Sequence, residues 1–195
     1  MEAYSQRGQD LFAIDFLENK HYGTFLDFGC KGPIDINNTY LLEKKYNFKG
    51  LSFDIDKEAI DEWKNTDRDS ENAICVDLMS LEIKKTLDEF YINGNIDYFS
   101  FDLEPPLLTL DVLKKFPFDS YKFGIITYEH DYYRGFDTLN PSRRIFLNNG
   151  YQKVTTEVMN KYDVTHSISL SEDWWFHPDL VSVPPQYIDT TVSLS

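Results

Sequence analysis

The amino-acid sequence predicts an α/β fold, a doubly wound, mostly parallel, Rossmann-like sheet that ends in an antiparallel pair of strands. Short apolar runs alternate with longer amphipathic runs, the pattern typical of parallel βαβ units. After residue 128 this rhythm changes, and two strand-like runs follow one another. A length of 195 residues fits a single domain over residues 1–195, either complete or cut from a longer protein.

Each element follows from local pattern. The predicted parallel strands are 24–29, 50–54, 73–76, 96–101 and 123–128, and the helices between them are 10–20, 38–46, 58–65, 81–91 and 107–116. A sixth helix, 141–149, is predicted with Asn140 as N-cap and Pro141 at its first position. Strands over 151–158 and 162–170, joined at Asn160–Lys161, are expected to form the antiparallel pair.

Composition excludes several classes of protein. Nineteen Lys and Arg against 33 Asp and Glu give a net charge of −14, which argues against a nucleic-acid partner. With 42% hydrophobic residues, the chain can bury a core. Cys30 and Cys75 lie in apolar runs, so a disulfide framework is not expected. No apolar stretch is long enough to span a bilayer, and we predict a cytoplasmic protein without a membrane partner.

The turn after the first strand reads Asp27-Phe28-Gly29-Cys30-Lys31-Gly32. It lacks the G-x-G-x-x-G spacing of a nicotinamide site, and the carboxylate of Asp27 would repel a pyrophosphate. An acid there suits a ligand that carries an amine, such as S-adenosylmethionine with its ammonium and sulfonium groups. The alternative is a tight β–α turn with an acid at the surface.

Acids also follow the next two strands. Asp54 is placed to accept both hydroxyls of a ribose, and Asp56 is expected to cap the helix that follows. Asp77 can accept from an exocyclic amine such as that of adenine, with Leu78 against the ring, although Asp77 also suits a turn. Three acids after three successive strands predict one nucleoside ligand across the strand ends, held by Asp27, Asp54 and Asp77.

Ionisable residues crowd the ends of strands four and five. Asp102, Glu104 and His130 are candidate bases for proton removal, with Glu129 orienting or binding the substrate. A structural histidine and a turn residue at Asp131 are the alternatives. Oxygen ligands from Asp102, Glu129 and Asp131 would suit Mg²⁺ or Mn²⁺, an option that the sequence leaves open without favouring it.

Several ordered motifs carry a resemblance to a known family. The sequence resembles the FkbM family of S-adenosylmethionine-dependent O-methyltransferases over nearly its whole length. The matching segments are Tyr4–Asp10 (family SQ-x-G-(E/Q)-D), Phe25–Gly29, Asn38–Thr39, Leu41–Lys44, Gly50–Asp54, Ile96–Glu104 (family IDYLSLDVEG), Glu129–His130 (family VEHN), Gly150–Tyr151 and Asp173–Phe176. Two segments depart from the family: Gly29–Pro33 replaces G-A-N-D-G, and Pro105–Pro106 replaces Gly-Ala.

The resemblance implies a class I methyltransferase fold and methyl transfer to a hydroxyl, commonly on a sugar or glycan-like product. The candidate cofactor-binding residues are Gln6, Asp27, Gly29, Lys31, Asn38, Asp54, Ile55, Asp77, Leu78 and Asp102. An aromatic wall for a small-molecule or glycan acceptor is predicted from Tyr132, Tyr133, Trp174, Trp175 and His177, with Arg134 beside it. Lys31 brings a positive charge close to a cationic cofactor.

Three other functions compete with this one. The Asp102–Pro106 string loosely resembles the D/N-P-P-Y/F motif of methyltransferases that act on exocyclic amines, although two residues intervene before the prolines. The altered Gly29–Pro33 loop suits a degenerate domain that binds without catalysis. A nicotinamide oxidoreductase is a weaker alternative, given the missing fingerprint.

Overall fold

A computed structural model describes residues 2–91, 94–163, 165 and 167–184. Its strands are β1 (Thr24–Phe28), β2 (Lys49–Asp54), β3 (Ala73–Cys75), β4 (Asn95–Phe101), β5 (Lys122–Glu129), β6 (Gln152–Lys153) and β7 (Glu172–Phe176). Its α-helices are α1 (Gln9–Phe16), α2 (Tyr40–Tyr46), α3 (Lys57–Trp63), α4 (Ile83–Phe90), α5 (Pro106–Lys115), α6 (Leu139–Asn148) and α7 (Thr156–Met159).

The strands form one seven-stranded sheet in the order β3-β2-β1-β4-β5-β7-β6. Strands β1 to β5 are parallel, whereas β7 is antiparallel to both β5 and β6. The chain runs outward from β1 to β3 and then returns to β4, so strand order reverses between β1 and β4. The predicted doubly wound α/β sheet with an antiparallel C-terminal pair is confirmed, and in such a sheet ligands bind beside this reversal.

The residues of the antiparallel pair differ from the prediction. Only Gln152 and Lys153 of the predicted first strand form a strand, and they pair with β7, which begins at Glu172. The side chain of Thr155 caps α7, and Val158 packs in the core from that helix. The predicted strand over 162–170 is therefore wrong where it is described; Val164 and His166 lie outside the described residues.

Helix α6 begins two residues earlier than predicted. Thr138, rather than Asn140, stands at its N-cap position. The hydroxyl of Thr138 donates to the main-chain oxygen of His130, which ties the start of α6 to the end of β5. This tertiary bond decides the boundary, and the local preference for asparagine followed by proline could not reveal it.

Two apolar layers cover the sheet. Helices α4, α5 and α6 cover one face, where Phe28, Phe99 and Phe146 are buried. Helices α1, α2 and α7 cover the other face, where Phe12 and Trp174 stack with ring centroids 4.4 Å apart. Among the described residues, no helix combines the length and the apolar character that crossing a membrane requires.

A row of short polar side chains interrupts the second layer. Ser52 pairs in register with Asp27, Asp27 with Ser100, and Ser100 with Thr127, so these four residues cross β2, β1, β4 and β5 in one line. All four side chains are buried. Because side chains alternate along a strand, the residues two positions further lie in line at the carboxyl edge of the sheet. Those residues form the site described next.

Candidate functional site

A pocket opens at the carboxyl edge of β1 to β4, beside the reversal of strand order. Eight predicted site residues line it, together with three apolar residues that sequence reasoning missed: Gly29, Lys31, Asp54, Ile55, Asp77, Leu78, Asp102 and Glu104, then Val76, Leu103 and Leu108. These residues lie at or after the ends of β1 to β4, where the sequence analysis expected a site.

Gly29 keeps the floor of the pocket open. Its φ of 84° lies in the left-handed region, and its N–H donates to the main-chain oxygen of Phe53 at 2.8 Å. A Cβ at this position would lie 1.7 Å from the main-chain oxygen of Asp102. A residue with a side chain would therefore force β1 and β4 apart at the point where a ligand must approach the backbone.

Asp54 organises the turn on the other side of Gly29. One carboxylate oxygen accepts from the N–H of Lys31 and the other from the N–H of Asp56, both at 2.8 Å. Each oxygen keeps a further lone pair for a ligand. Asp56 caps α3 by accepting from the N–H groups of Glu58 and Ala59, so the prediction that separated these two acids is confirmed for the cap.

The loop after Gly29 is braced by residues that the sequence did not indicate. The amide of Asn37 donates to the main-chain oxygens of Cys30 and Gly32, both at 3.0 Å. The buried guanidinium of Arg68 donates to Asn37 at 2.8 Å, contacts Glu43 at 2.8 Å and lies over the ring of Trp63. Arg68 lies 31 residues beyond Asn37 and has no local sequence signal, which is why this brace was missed.

Asp77 and Leu78 lie at the β3 end of the pocket. Asp77 is exposed, and one carboxylate oxygen accepts from the N–H of Met79 at 2.9 Å, which is the turn role considered from sequence. Leu78 is buried and presents an apolar wall, while Ile55 beside it is 68% exposed. Among the residues that the structure describes, Oδ2 of Asp77 has no hydrogen-bond partner, and it lies next to the apolar surface of Leu78 and Ile55.

Asp27 does not join this pocket. Its carboxylate is buried one layer deeper, where it accepts from the hydroxyl of Thr39 at 3.0 Å, and burial raises its pKa to about 6. The predicted continuous edge of three acids is therefore not formed, because Asp27 faces α2. Asn38 also lies in this deeper layer and donates to Ser100 at 2.9 Å. Gln6 is solvent-exposed and does not line the pocket.

Asp102 continues into a second group of acids. Its carboxyl group is hydrogen-bonded to that of Glu129, and burial together with this contact raises the pKa of Glu129 well above its usual range. The pair therefore holds one proton at neutral pH. Glu172 pairs with Glu129 across β7 and β5, and burial raises its pKa to about 7.

Glu172 is a buried acid beside the site that sequence reasoning missed. Its carboxylate accepts from Gln9 at 2.7 Å and from the indole of Trp174 at 2.8 Å. The signal that would have found it is the strand register, because Glu172 lies opposite Glu129. That register depends on where β7 begins, which the sequence analysis placed incorrectly.

Glu104 and Asp131 share one arginine. Both oxygens of Glu104 lie 2.8 Å from Nη1 of Arg134, and Oδ2 of Asp131 lies 3.2 Å from the same nitrogen. This bridge joins the loop after β4 to the loop after β5. Glu104 therefore enters the site as one member of an ion pair.

The structure places the candidate base His130 away from the pocket. Its ring is fully buried, and Nδ1 accepts from the N–H of Tyr132 at 3.3 Å. Burial lowers its pKa to about 4, so the ring is neutral at neutral pH. It lies near Asp173 and Arg143 on the α6 side of the sheet. The geometry therefore supports the structural role that the sequence analysis considered for His130, and not the role of a base.

The predicted aromatic wall is not assembled. Trp174 and Trp175 are both fully buried and pack on opposite faces of the sheet, because neighbouring strand residues alternate. His177 lies at the opposite edge of the sheet, where its backbone N–H donates to the main-chain oxygen of Gly124. Tyr132 and Tyr133 remain at the surface beside the Glu104–Arg134 bridge.

The metal alternative gains no support from the geometry. Within the described ranges, no group of three or more His, Cys, Asp or Glu side chains is arranged to hold an ion. Asp102, Glu129 and Asp131 are close enough to influence one another, but they do not converge as ligands would.

No protein-family model and no curated protein matches the sequence. Solved structures do match the fold. The plantazolicin methyltransferase BpumL in complex with SAH has a TM-score of 0.56 at 12% identity, over 87% of this chain and 82% of that one. A putative rRNA-methylase from Clostridium thermocellum has a TM-score of 0.50 at 18% identity, over 88% and 96%. The [4+2]-cyclase SpnF has a TM-score of 0.50 at 10% identity, over 87% and 80%.

These similarities define the class of fold. The chain has the methyltransferase fold, as the sequence predicted. Because the same architecture also appears in a protein described as a cyclase, the fold by itself does not fix the reaction. The site must carry the functional argument.

Proposed function

We propose that this protein is an S-adenosylmethionine-dependent O-methyltransferase, similar to the FkbM family, that methylates a hydroxyl of a sugar or glycan. One observation carries the proposal. A single pocket runs from Asp77 and Leu78 at the end of β3, past Asp54 and Gly29, to Asp102 at the end of β4. The end of the pocket at Asp102, called the acceptor end below, meets the Asp102–Glu129 carboxyl pair, which shares one proton.

The residues present fit the cofactor. Asp54 keeps acceptor capacity for ribose hydroxyls, and Leu78 offers an apolar wall for adenine, with Asp77 placed for its exocyclic amine. Gly29 leaves room for close approach to the backbone. When bound, S-adenosylmethionine supplies an electrophilic methyl group on its sulfonium.

Asp102 is the best-placed base. A sugar hydroxyl is a weak nucleophile, so its proton must leave as the new bond forms. Asp102 lines the pocket, whereas His130 is buried on the far side of the sheet and Glu104 is held by Arg134. Glu129 keeps its proton and donates a hydrogen bond to Asp102, which orients that carboxylate.

The surroundings favour a neutral or cationic small-molecule acceptor. The exposed rings of Tyr132 and Tyr133 flank the loop that carries Arg134, and aromatic faces beside acids suit sugar rings. A net charge of −14 repels phosphorylated acceptors and nucleic acid.

Replacing the base tests this proposal. We expect Asp102→Asn to lower methyl transfer from labelled S-adenosylmethionine to a sugar pool by about 100-fold or more, with binding of S-adenosylhomocysteine changed less than about threefold. Asp119→Asn, which removes one exposed acid elsewhere, is the matched control. Unchanged turnover in Asp102→Asn would exclude Asp102 as the base.

A binding domain without catalysis is the second candidate. Lys31, with φ of 48°, lines the pocket and places a cation near the site of a cationic cofactor. Binding of S-adenosylhomocysteine without transfer to a hydroxyl or to an exocyclic amine would favour this candidate. The same assay therefore also tests the N-methyltransferase alternative.

A further inference from the structure

The mouth of the acceptor end is negatively charged. Asp102, Glu104, Glu129 and Asp131 act on one another electrostatically, and each lies at or just after the end of β4 or β5. Arg134 pairs with Glu104 and with Asp131. Even with one proton on the Asp102–Glu129 pair, three carboxylates face the guanidinium of Arg134 and the ammonium of Lys31, which leaves an excess of one negative charge.

Asp131 contains an unpaired oxygen within this group. Oδ1 is buried and has no hydrogen-bond partner among the described residues, while Oδ2 contacts Arg134. The backbone holds the side chain in place, because the N–H groups of His130 and Asp131 both donate to Ser171 and Asp131 has φ of 46°. A buried carboxylate oxygen without a donor is unfavourable, so this position calls for a cationic donor.

We propose that the acceptor carries a protonated amine close to its reacting hydroxyl, and that Asp131 and Glu104 bind this ammonium group. The inference rests on the proposed function and specifies its substrate class. An ammonium has three donors and no acceptor. The carboxylates of Glu104 and Asp131 lie 2.8 and 3.2 Å from one nitrogen of Arg134, so they are close enough together to bind one ammonium in its place. Arg134 lies on both carboxylates, and with a side chain 37% exposed it has solvent into which it can move.

A matched pair of sugars tests the proposal. Glucosamine and N-acetylglucosamine share a ring and its hydroxyls, but the second carries a neutral amide in place of the ammonium. With the full chain saturated with S-adenosylhomocysteine, we expect calorimetry to show glucosamine binding at least about tenfold more tightly. High salt should reduce this preference.

Three variants connect the preference to the site. Asp131→Asn is expected to abolish the preference, and Glu104→Gln, at an exposed side chain where folding is not at risk, to reduce it several-fold. Asp119→Asn makes the same change in net charge at an exposed position and should leave the preference intact. A preference that survives in both site variants would overturn the proposal.

The remaining outcomes are distinct. Equal binding of the two sugars, or binding of neither while S-adenosylhomocysteine binds, would overturn the ammonium site and leave the cofactor proposal standing. Micromolar binding of Mg²⁺ alone, lost in Asp131→Asn, would assign the oxygen to a metal and overturn the ammonium. Failure of S-adenosylhomocysteine to bind would instead overturn the proposed function.

Discussion

At the level of single residues, the depth at which an acidic side chain is buried decides whether it can contact a ligand in the pocket. Asp54 lies at the pocket with both oxygens already accepting from backbone N–H groups. Asp27 is buried and its pKa is raised to about 6, which suits a structural bond to Thr39. The sequence places these acids near the ends of strands, but it does not reveal that Asp27 lies two residues deeper in the sheet than the row that contains Gly29 and Asp54.

Glu172 allows a direct test of this effect of burial. Its pKa of about 7 lies above the unfolded value of about 4.3, so the native state holds a proton that the unfolded state releases. Its contribution to stability is therefore fully present below about pH 4.3 and is lost as pH rises through 7. Glu172→Gln removes this pH-dependent loss, because an amide side chain does not ionise.

We expect the free energy of unfolding of Glu172→Gln, relative to the unsubstituted chain, to rise by up to about 3 kcal/mol between pH 4.5 and 8. Urea denaturation across this range measures the difference. Glu89→Gln, an exposed acid on α4, is the control and should show no such trend. Parallel pH profiles for Glu172→Gln and the unsubstituted chain would contradict the assigned pKa.

At the scale of elements, close approach of β1 and β4 requires a glycine. Gly29→Ala is expected to lower the free energy of unfolding by at least about 2 kcal/mol and to abolish binding of S-adenosylhomocysteine. The reason is the 1.7 Å contact of the new Cβ with the main-chain oxygen of Asp102, together with the left-handed φ. Chemical denaturation and calorimetry measure the two effects.

Gly32→Ala is the matched control, because the nearest atom to its added Cβ is a side-chain oxygen of Glu62 at 3.8 Å. The two substitutions are chemically identical and lie in the same loop. Similar losses in both variants would show that the loop tolerates no Cβ anywhere, and the specific role of Gly29 would be wrong.

The buried brace of the glycine loop is also testable. Arg68→Met leaves Glu43 without its buried partner and removes the donor to Asn37, so we expect a loss of about 3–5 kcal/mol in the free energy of unfolding. The double variant with Glu43→Gln should recover part of it, because no unpaired charge remains. A double variant that is less stable than Arg68→Met would contradict this account.

The sequence correctly predicted those elements that are determined by a short, continuous stretch of residues. The predicted bounds of β1, β2 and β5 lie within one or two residues of the observed ones, because each apolar run is continuous and ends at an acid or a glycine. Residues 154–159 alternate poorly, and the cap at Thr155 with burial of Val158 produced a helix instead of a strand. The pocket residues after β1 to β4 were predictable, whereas Glu172 and Arg68 depend on distant pairing that no local pattern encodes.

At the scale of the whole molecule, charge limits the partners. With −14 overall and carboxylates around the pocket mouth, we expect no binding of a 20-nucleotide single-stranded RNA or DNA at 50 mM salt. Fluorescence anisotropy of a labelled oligonucleotide measures this. Binding that weakens steeply with added salt would contradict the expectation and revive the nucleic-acid alternative.

The proposed function requires one adenosyl ligand to lie across the ends of β1 to β3, where Asp54 would hold it. Calorimetric titration of the purified chain with S-adenosylhomocysteine, alongside Asp54→Asn, tests it most directly. We expect one site per chain and an affinity at least about tenfold weaker in the variant, since a carboxylate that accepts from ribose hydroxyls is replaced by an amide. No binding to the unsubstituted chain, or equal affinity in Asp54→Asn, would contradict the account.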